Sequence, residues 1–213
     1  MALAHTSEIT MIRTAAQKLA SKYMKKANPN LELHVYDFDM TLFKSPEPPA
    51  WWNTKKDGYW YSIVDSLGRP FLPDSPTGSE FWINEVVSQA QSSISNRNVW
   101  SVLCTGRIDT PPMRYRVSEI LASKGLDFDE AFLAEGKGAT ARYKAKVVHN
   151  TLRKLPQVRC VQMWDDDADN LRVVGAYCAK VGVDFIPHPV QGYSPYEPDA
   201  SQEEYLLLKK EWK

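Results

Sequence analysis

The stretch that most constrains this chain runs from Leu31 to Leu42 and closes on Val35-Tyr36-Asp37-Phe38-Asp39-Met40-Thr41-Leu42. Its apolar start predicts a buried strand. The strand ends in two acids two positions apart, so both carboxylates arrive at the carboxyl edge of a sheet. Open α/β sheets bind their ligands at that edge. The reading of the pair is that Asp37 is a nucleophile and Asp39 a general acid/base, working with Mg²⁺.

The remaining segments alternate in the way such a sheet requires. A helix is expected over about 7–26, with Ile9, Ile12, Ala16, Leu19, Ala20 and Tyr23 on one stripe. The interval 44–79 is rich in Pro and crowded by Trp51, Trp52, Tyr59, Trp60 and Tyr61. So many aromatics predict an ordered insertion or lid rather than a linker. A helix is expected from Phe81 to Ile94, with Trp82, Val86, Val87 and Ala90 on its buried face. Val99 to Cys104 reads as a second strand and Pro112 to Lys124 as a helix closed by Gly125. A short strand near 131–133, a helix over 140–155, a strand over 158–163, a helix to about Lys180 and a strand over 183–186 follow. Residues 201–213 read as an amphipathic helix. Strands alternating with helices predict a mostly parallel α/β sheet with right-handed crossovers.

Length and charge bound the rest. With 213 residues, one domain carrying an insertion at 44–96 is expected rather than two domains. Lys+Arg and Asp+Glu are both 26, so no global basic field marks the chain as a nucleic-acid binder. Cys104, Cys160 and Cys178 form no CxxC pair and lie in apolar segments, as reduced core cysteines do. With no secretory signal or membrane-length apolar run, the expected location is cytoplasmic. His5, His34, His149 and His188 are scattered and predict no zinc site.

Three strand ends carry polar clusters: Asp37, Asp39 and Thr41; Thr105 with Gly106 and Arg107; and Asp165, Asp166 and Asp167. In a parallel sheet they share one rim. Crowded carboxylates raise one another's pKa unless a cation sits among them. Oxygen donors without His or Cys suit Mg²⁺, with Asp37, Asp39, Asp165 and Asp166 as the expected ligands. Carboxylate attack on phosphorus gives an aspartyl-phosphate. Asp39 would protonate the leaving oxygen and then deprotonate the incoming water. Thr105 would donate to the phosphoryl group, and a lysine would offset its charge. Lys144, Lys146 and Lys137 are the candidates. Arg107 either holds substrate phosphate or pairs with an acid. The insertion either forms a small aromatic core or stacks bases or ribose over the site.

These clusters resemble, in order, the four motifs of the haloacid dehalogenase-like (HAD) phosphatase superfamily: Asp37-Phe-Asp39-Met-Thr41, Thr105 after Val102-Leu-Cys104, Lys144, and Asp165-Asp166-x-x-x-Asn170. Asp37-Phe-Asp-Met-Thr-Leu-Phe43-x-x-Pro46, Gly58-Tyr-Trp60, Ser66-Leu67, Trp82-x-Asn84, Leu103-Cys-Thr-Gly-Arg107 and Thr140-x-x-Tyr-Lys144 are similar to its Swiss Army Knife RNA repair-like branch. The resemblance implies a Rossmannoid three-layer sandwich with a central parallel sheet and an aromatic cap after the first motif. It selects Lys144 as the motif lysine and implies catalysis by Asp37, Asp39, Thr105 and Lys144, with Thr41, Gly106 and Arg107 on the substrate. The implied activity is Mg²⁺-dependent hydrolysis of a phosphomonoester at an RNA or DNA end or on a nucleotide, resembling a polynucleotide 3′-phosphatase. A small-molecule phosphatase or 5′-nucleotidase, and a non-catalytic binding protein of the same fold, are the alternatives. Met40 stands where the superfamily often has Gly. Asp167 and Asn170 stand where the branch has Arg and His.

Overall fold

A computed structural model describes residues 16–136 and 138–211. Residues 16–26 are helical (α1). Then come β1 (Glu32–Tyr36), α2 (Thr54–Asp57), α3 (Asn84–Ser95), β2 (Val99–Ile108) and α4 (Pro111–Ala122). β3 (Glu130–Ala134), α5 (Thr140–Lys154), β4 (Cys160–Asp165), α6 (Ala168–Val181), β5 (Asp184–Pro189) and α7 (Gln202–Glu211) complete the chain. The strands form one parallel sheet in the order β3-β2-β1-β4-β5. The chain walks outward from β1 on one side, then restarts beside β1 with β4. The order therefore reverses between β1 and β4, where a crevice opens at the strand ends.

Alternation along β1 builds the three layers. Leu33 and Val35 pack with Val147, Val148, Leu171 and Val174 of α5 and α6 on one face. Tyr36 packs with Val86 and Val87 of α3 and Met113 and Val117 of α4 on the other. Each such side chain contributes roughly 1.5–3 kcal/mol by leaving water. Gly125 ends α4 as expected: at φ +66° it lets its own N–H reach Ala122 O and that of Leu126 reach Leu121 O.

Tertiary pairing moves several expected boundaries. The helix expected from Phe81 begins at Asn84, because Trp82 pairs as an antiparallel bridge with Phe43 and the Ile83 N–H donates to Leu42 O. β2 continues past Cys104 to Ile108, extended by its pairing with β3. On α1, Leu19 (57%) and Tyr23 (67%) are exposed, contrary to a buried stripe. The side chain that docks is Lys25, buried in an ion pair with Asp129 at 2.7 Å. Ile9 and Ile12 lie outside the described residues.

The segment between β1 and α3, where an insertion is expected, divides its aromatics. Trp51, Trp52, Trp60 and Phe71 form a cluster completed by Tyr205 of α7. The Trp60 indole donates to Pro46 O and that of Trp52 to Gly58 O. Arg116 of α4 donates to the carbonyls of Leu67, Pro73 and Asp74, tying the insertion to the sheet layer. Among the described residues no helix is long and apolar enough to cross a membrane.

Candidate active site

The acids meet where the strand order reverses. Asp37 follows β1 and Asp165 ends β4; the Asp37 N–H donates to Trp164 O, so register places the two carboxylates side by side. Lys144 reaches between them from α5, its Nζ 2.8 Å from Asp37 Oδ1 and 2.6 Å from Asp165 Oδ2, with 1% of the side chain exposed. Lys146 points away, 60% exposed and paired with Glu135, and Lys137 lies outside the described residues. Asp165 is fully enclosed: its Oδ1 accepts from Asn170 Nδ2 at 2.9 Å and from the Asp167 N–H at 3.0 Å. Asp166 is exposed to the cleft, and Thr41 anchors it. The Thr41 hydroxyl accepts from the Asp166 N–H at 3.1 Å and faces its carboxylate at 3.4 Å. Thr41, expected on substrate, is thus buried behind an acid.

Asp39 occupies a different environment. Arg107 donates to it through Nε (2.9 Å) and Nη2 (2.6 Å), a fork-to-carboxylate pairing. Ser45 donates to the same carboxylate, and Thr105 lies 3.5 Å from its second oxygen. The remaining Arg107 nitrogen, Nη1, donates to Ser66 of the insertion at 2.8 Å. Of the two options for Arg107, the geometry is that of pairing with an acid. Neither Thr105 nor Arg107 lines the cavity; Gly106 between them does. A Cβ on Gly106 would stand 3.0 Å from Thr140 Cγ2, so glycine is what lets α5 approach. Met40 takes φ +53°, a left-handed conformation costly for a side-chain-bearing residue and native to glycine.

Electrostatics follow from the crowding. Burial raises the Asp37 carboxyl well above the usual range; Lys144 opposes this, and Asp165, Asp39 and Asp166 reinforce it. For Asp166, lost hydration within the cleft raises it first, then the charge of Asp165. Burial alone would lower the Lys144 ammonium, but Asp37 and Asp165 more than compensate and raise it. α5 begins at Thr140 without a side-chain cap, so its first-turn N–H groups add positive potential beside Lys144.

The residues present fit a hard divalent cation. Asp37, Asp165 and Asp166 each offer an oxygen within 4.8 Å of the others. Asn170, 3% exposed, leaves its Oδ1 with no hydrogen-bond partner beside them, an acceptor suited to a cation or its water. Asp39, expected as a further oxygen donor, is not in this group, because its carboxylate is held by Arg107 and Ser45. A cavity of about 610 Å³ opens over the acids, lined by Asp37, Asp39, Lys144 and Asp166 on one side and by Tyr59, Tyr61 and Ser62 of the insertion on the other. Sequence reasoning gave no role to Ser45, Ser66 or Asn170. The DDxxxN spacing was a signal for Asn170 and the Ser66-Leu67 match one for Ser66; Ser45 had none.

A five-stranded parallel sheet flanked by helices, with acids gathered at its switch point, defines an α/β protein, and the family match places it in the haloacid dehalogenase-like class. More particularly, the chain belongs to HAD domain family 1 in Swiss Army Knife RNA repair proteins, which matches residues 50–191. The match spans β2 to β5 and begins after the Asp37–Asp39 turn. Among solved structures, the chain is similar to a chain of the Pnkp1/Rnl/Hen1 RNA repair complex (14% identity, TM-score 0.48, covering 78% of this chain and 45% of that one). A second Pnkp1/Rnl/Hen1 structure gives 14% identity and a TM-score of 0.45 over 76% and 48%. The HAD domain of the effector Lem4 from Legionella pneumophila gives 11% identity and a TM-score of 0.46 over 84% and 93%. The chain spans about half the length of the Pnkp1/Rnl/Hen1 chains it matches. Family membership supports a phosphohydrolase-type function.

Proposed function

We propose that this chain is a Mg²⁺-dependent phosphomonoesterase that forms an aspartyl-phosphate on Asp37 and acts on the phosphate of a nucleic-acid end or a nucleotide. The observation that carries this reading is the division of labour between two acids. Asp37 touches Lys144 beside Asp165 and Asp166, while Asp39 is held apart by Arg107. The nucleic-acid part rests on the family's occurrence in RNA repair proteins.

Asp37 attacks phosphorus, forming an O–P bond as the bond to the leaving oxygen breaks. Asp39 hands its proton to that oxygen, and Arg107 meets the carboxylate charge left behind. Water then attacks the acyl-phosphate, Asp39 takes its proton, and phosphate departs with Asp37 restored. Lys144 and the α5 N-terminus offset charge on the phosphoryl oxygens. Asp37, Asp165 and Asp166 would hold the metal, which keeps carboxylates ionised and polarises a phosphoryl oxygen.

Phosphate release from a generic aryl phosphate tests this directly. Chelation by EDTA should abolish it and Mg²⁺ restore it. Asp37→Asn should lower turnover by on the order of 10³-fold or more. Full activity in Asp37→Asn would remove the nucleophile assignment. Equal rates on 3′- and 5′-phosphorylated oligonucleotides, mononucleotides and sugar phosphates would remove the nucleic-acid preference.

A further inference from the structure

The insertion's aromatic residues do two different jobs. Trp51, Trp52 and Trp60 turn inward around Phe71 and Tyr205, with the Trp52 and Trp60 indoles bonded to backbone carbonyls. None of the three lines the cavity over the acids. Tyr59 and Tyr61 do, their ring centroids 5.9 Å apart at a 56° tilt. The Arg107 guanidinium stands 5.6 Å from the Tyr61 ring, which also packs against the tryptophan cluster. Tyr59 is 57% exposed and packs into no cluster of the core, so its ring is open to a ligand.

The rest of the wall says what kind of ligand. Asp167 adds an acid to Asp37, Asp39 and Asp166, while Met40, Ile108, Ser62 and glycines 106, 136 and 138 are neutral. Among the described lining residues the one cation is Lys144, already held by Asp37 and Asp165. A phosphate fills a small part of about 610 Å³, and the remaining space meets rings and small side chains. We propose that Tyr59 offers the open ring face on which a flat aromatic base of the leaving group stacks, with Tyr61 tilted beside it, which makes the substrate a nucleoside phosphomonoester, free or at a strand terminus. The proposal rests on the phosphomonoesterase reading above. Stacking tolerates any base, since every base has a π face. Selection by this wall is therefore for the presence of a base and not for its identity.

The test compares kcat/KM for four substrates: a 3′-nucleoside monophosphate, a 5′-nucleoside monophosphate, a short 3′-phosphorylated oligonucleotide and ribose 5-phosphate, which lacks a base. Wild type should prefer the base-bearing substrates. Tyr59→Ala should shrink that preference by roughly tenfold, the scale of one lost base–aromatic stack, and Tyr59→Phe should retain it. An unchanged ratio in Tyr59→Ala overturns the platform. A larger loss on mononucleotides than on the oligonucleotide assigns the site to the free nucleotide, and the reverse assigns it to a strand end. Should wild type release no phosphate from any of these, the enzymatic reading fails. The platform is then decided by calorimetry on the Asp37→Asn protein. A nucleoside monophosphate binding about tenfold tighter than ribose 5-phosphate upholds it, and equal Kd values overturn it.

Discussion

Lys144 is the residue on which the site's stability turns. It is a buried cation between two buried acids, and such a group is worth most when measured by its removal. Lys144→Met leaves Asp37 and Asp165 facing each other without compensation and should destabilise the protein by about 3–5 kcal/mol. Mg²⁺ should raise the Tm of this variant more than that of wild type, because a cation binding only the folded state adds what the lysine supplied. Thermal unfolding with and without Mg²⁺ checks both points, and a variant as stable as wild type would show the lysine to be peripheral. The positions of Asp37, Asp39, Thr105 and Lys144 were legible because each follows a strand, lies late in one or sits one turn into a helix, where local pattern dictates place. The partners of Asp39 were not. Ser45 and Ser66 reach it, or its arginine, through a loop and an insertion whose path no periodicity encodes. Arg107 was visible as a cation near the rim, but which charge it answers depends on that path.

At the scale of elements, one sheet face carries a polar chain that the sequence showed only as scattered histidines. His34 of β1 bonds Ser93 of α3 and Glu32, Glu32 accepts from Gln162 of β4, and Gln162 bonds His188 of β5. Trp164 stacks on His188 with centroids 4.1 Å apart. These contacts exist because β4 lies beside β1 and β5 beside β4, neighbour relations set by topology and not by local pattern. Burial lowers His34 below its usual range, against the pull of Glu32, and burial followed by the proximity of His34 lowers His188. A folded-state histidine pKa below the unfolded value, about 6.5, means that the unfolded chain binds more protons as pH falls. The contribution of the pair is therefore present above pH about 6.5 and is lost on acidification. Asp37 and Asp166, whose carboxyls are raised, act with the opposite sign, so the difference between proteins is the useful quantity. Between pH 7 and 5, the Tm of wild type should fall relative to that of the double variant His34→Gln/His188→Gln. Parallel Tm curves would show that the two imidazoles are not coupled to folding.

For the molecule as a whole, α7 packs against the segment between β1 and α3. Tyr205, near the C-terminal end of the described chain, packs with Trp51, Trp52 and Phe71, and its hydroxyl bonds Asp65 at 2.8 Å. The wall that faces the acids is thus backed by a helix more than a hundred residues further on, and Arg116 clamps its other side to α4. An amphipathic α7 was legible in the sequence, but its partner was not, since amphipathicity says that a face is buried and not against what. Contacts from α7 and α4 tie this segment on two sides, which suits the stacking role proposed for its tyrosines. Tyr205→Ala removes a large buried ring and should cost about 3 kcal/mol. For a chain of this size that lowers Tm by roughly 6–12 °C. Because the lost ring belongs to the cluster against which Tyr61 packs and is not among the acids' partners, KM for a nucleoside monophosphate should rise while kcat at saturation changes by less than about twofold. A fall in kcat with unchanged KM would place the effect of α7 on the acids instead, and would mean that the insertion reaches the chemistry through Ser66 and Arg107.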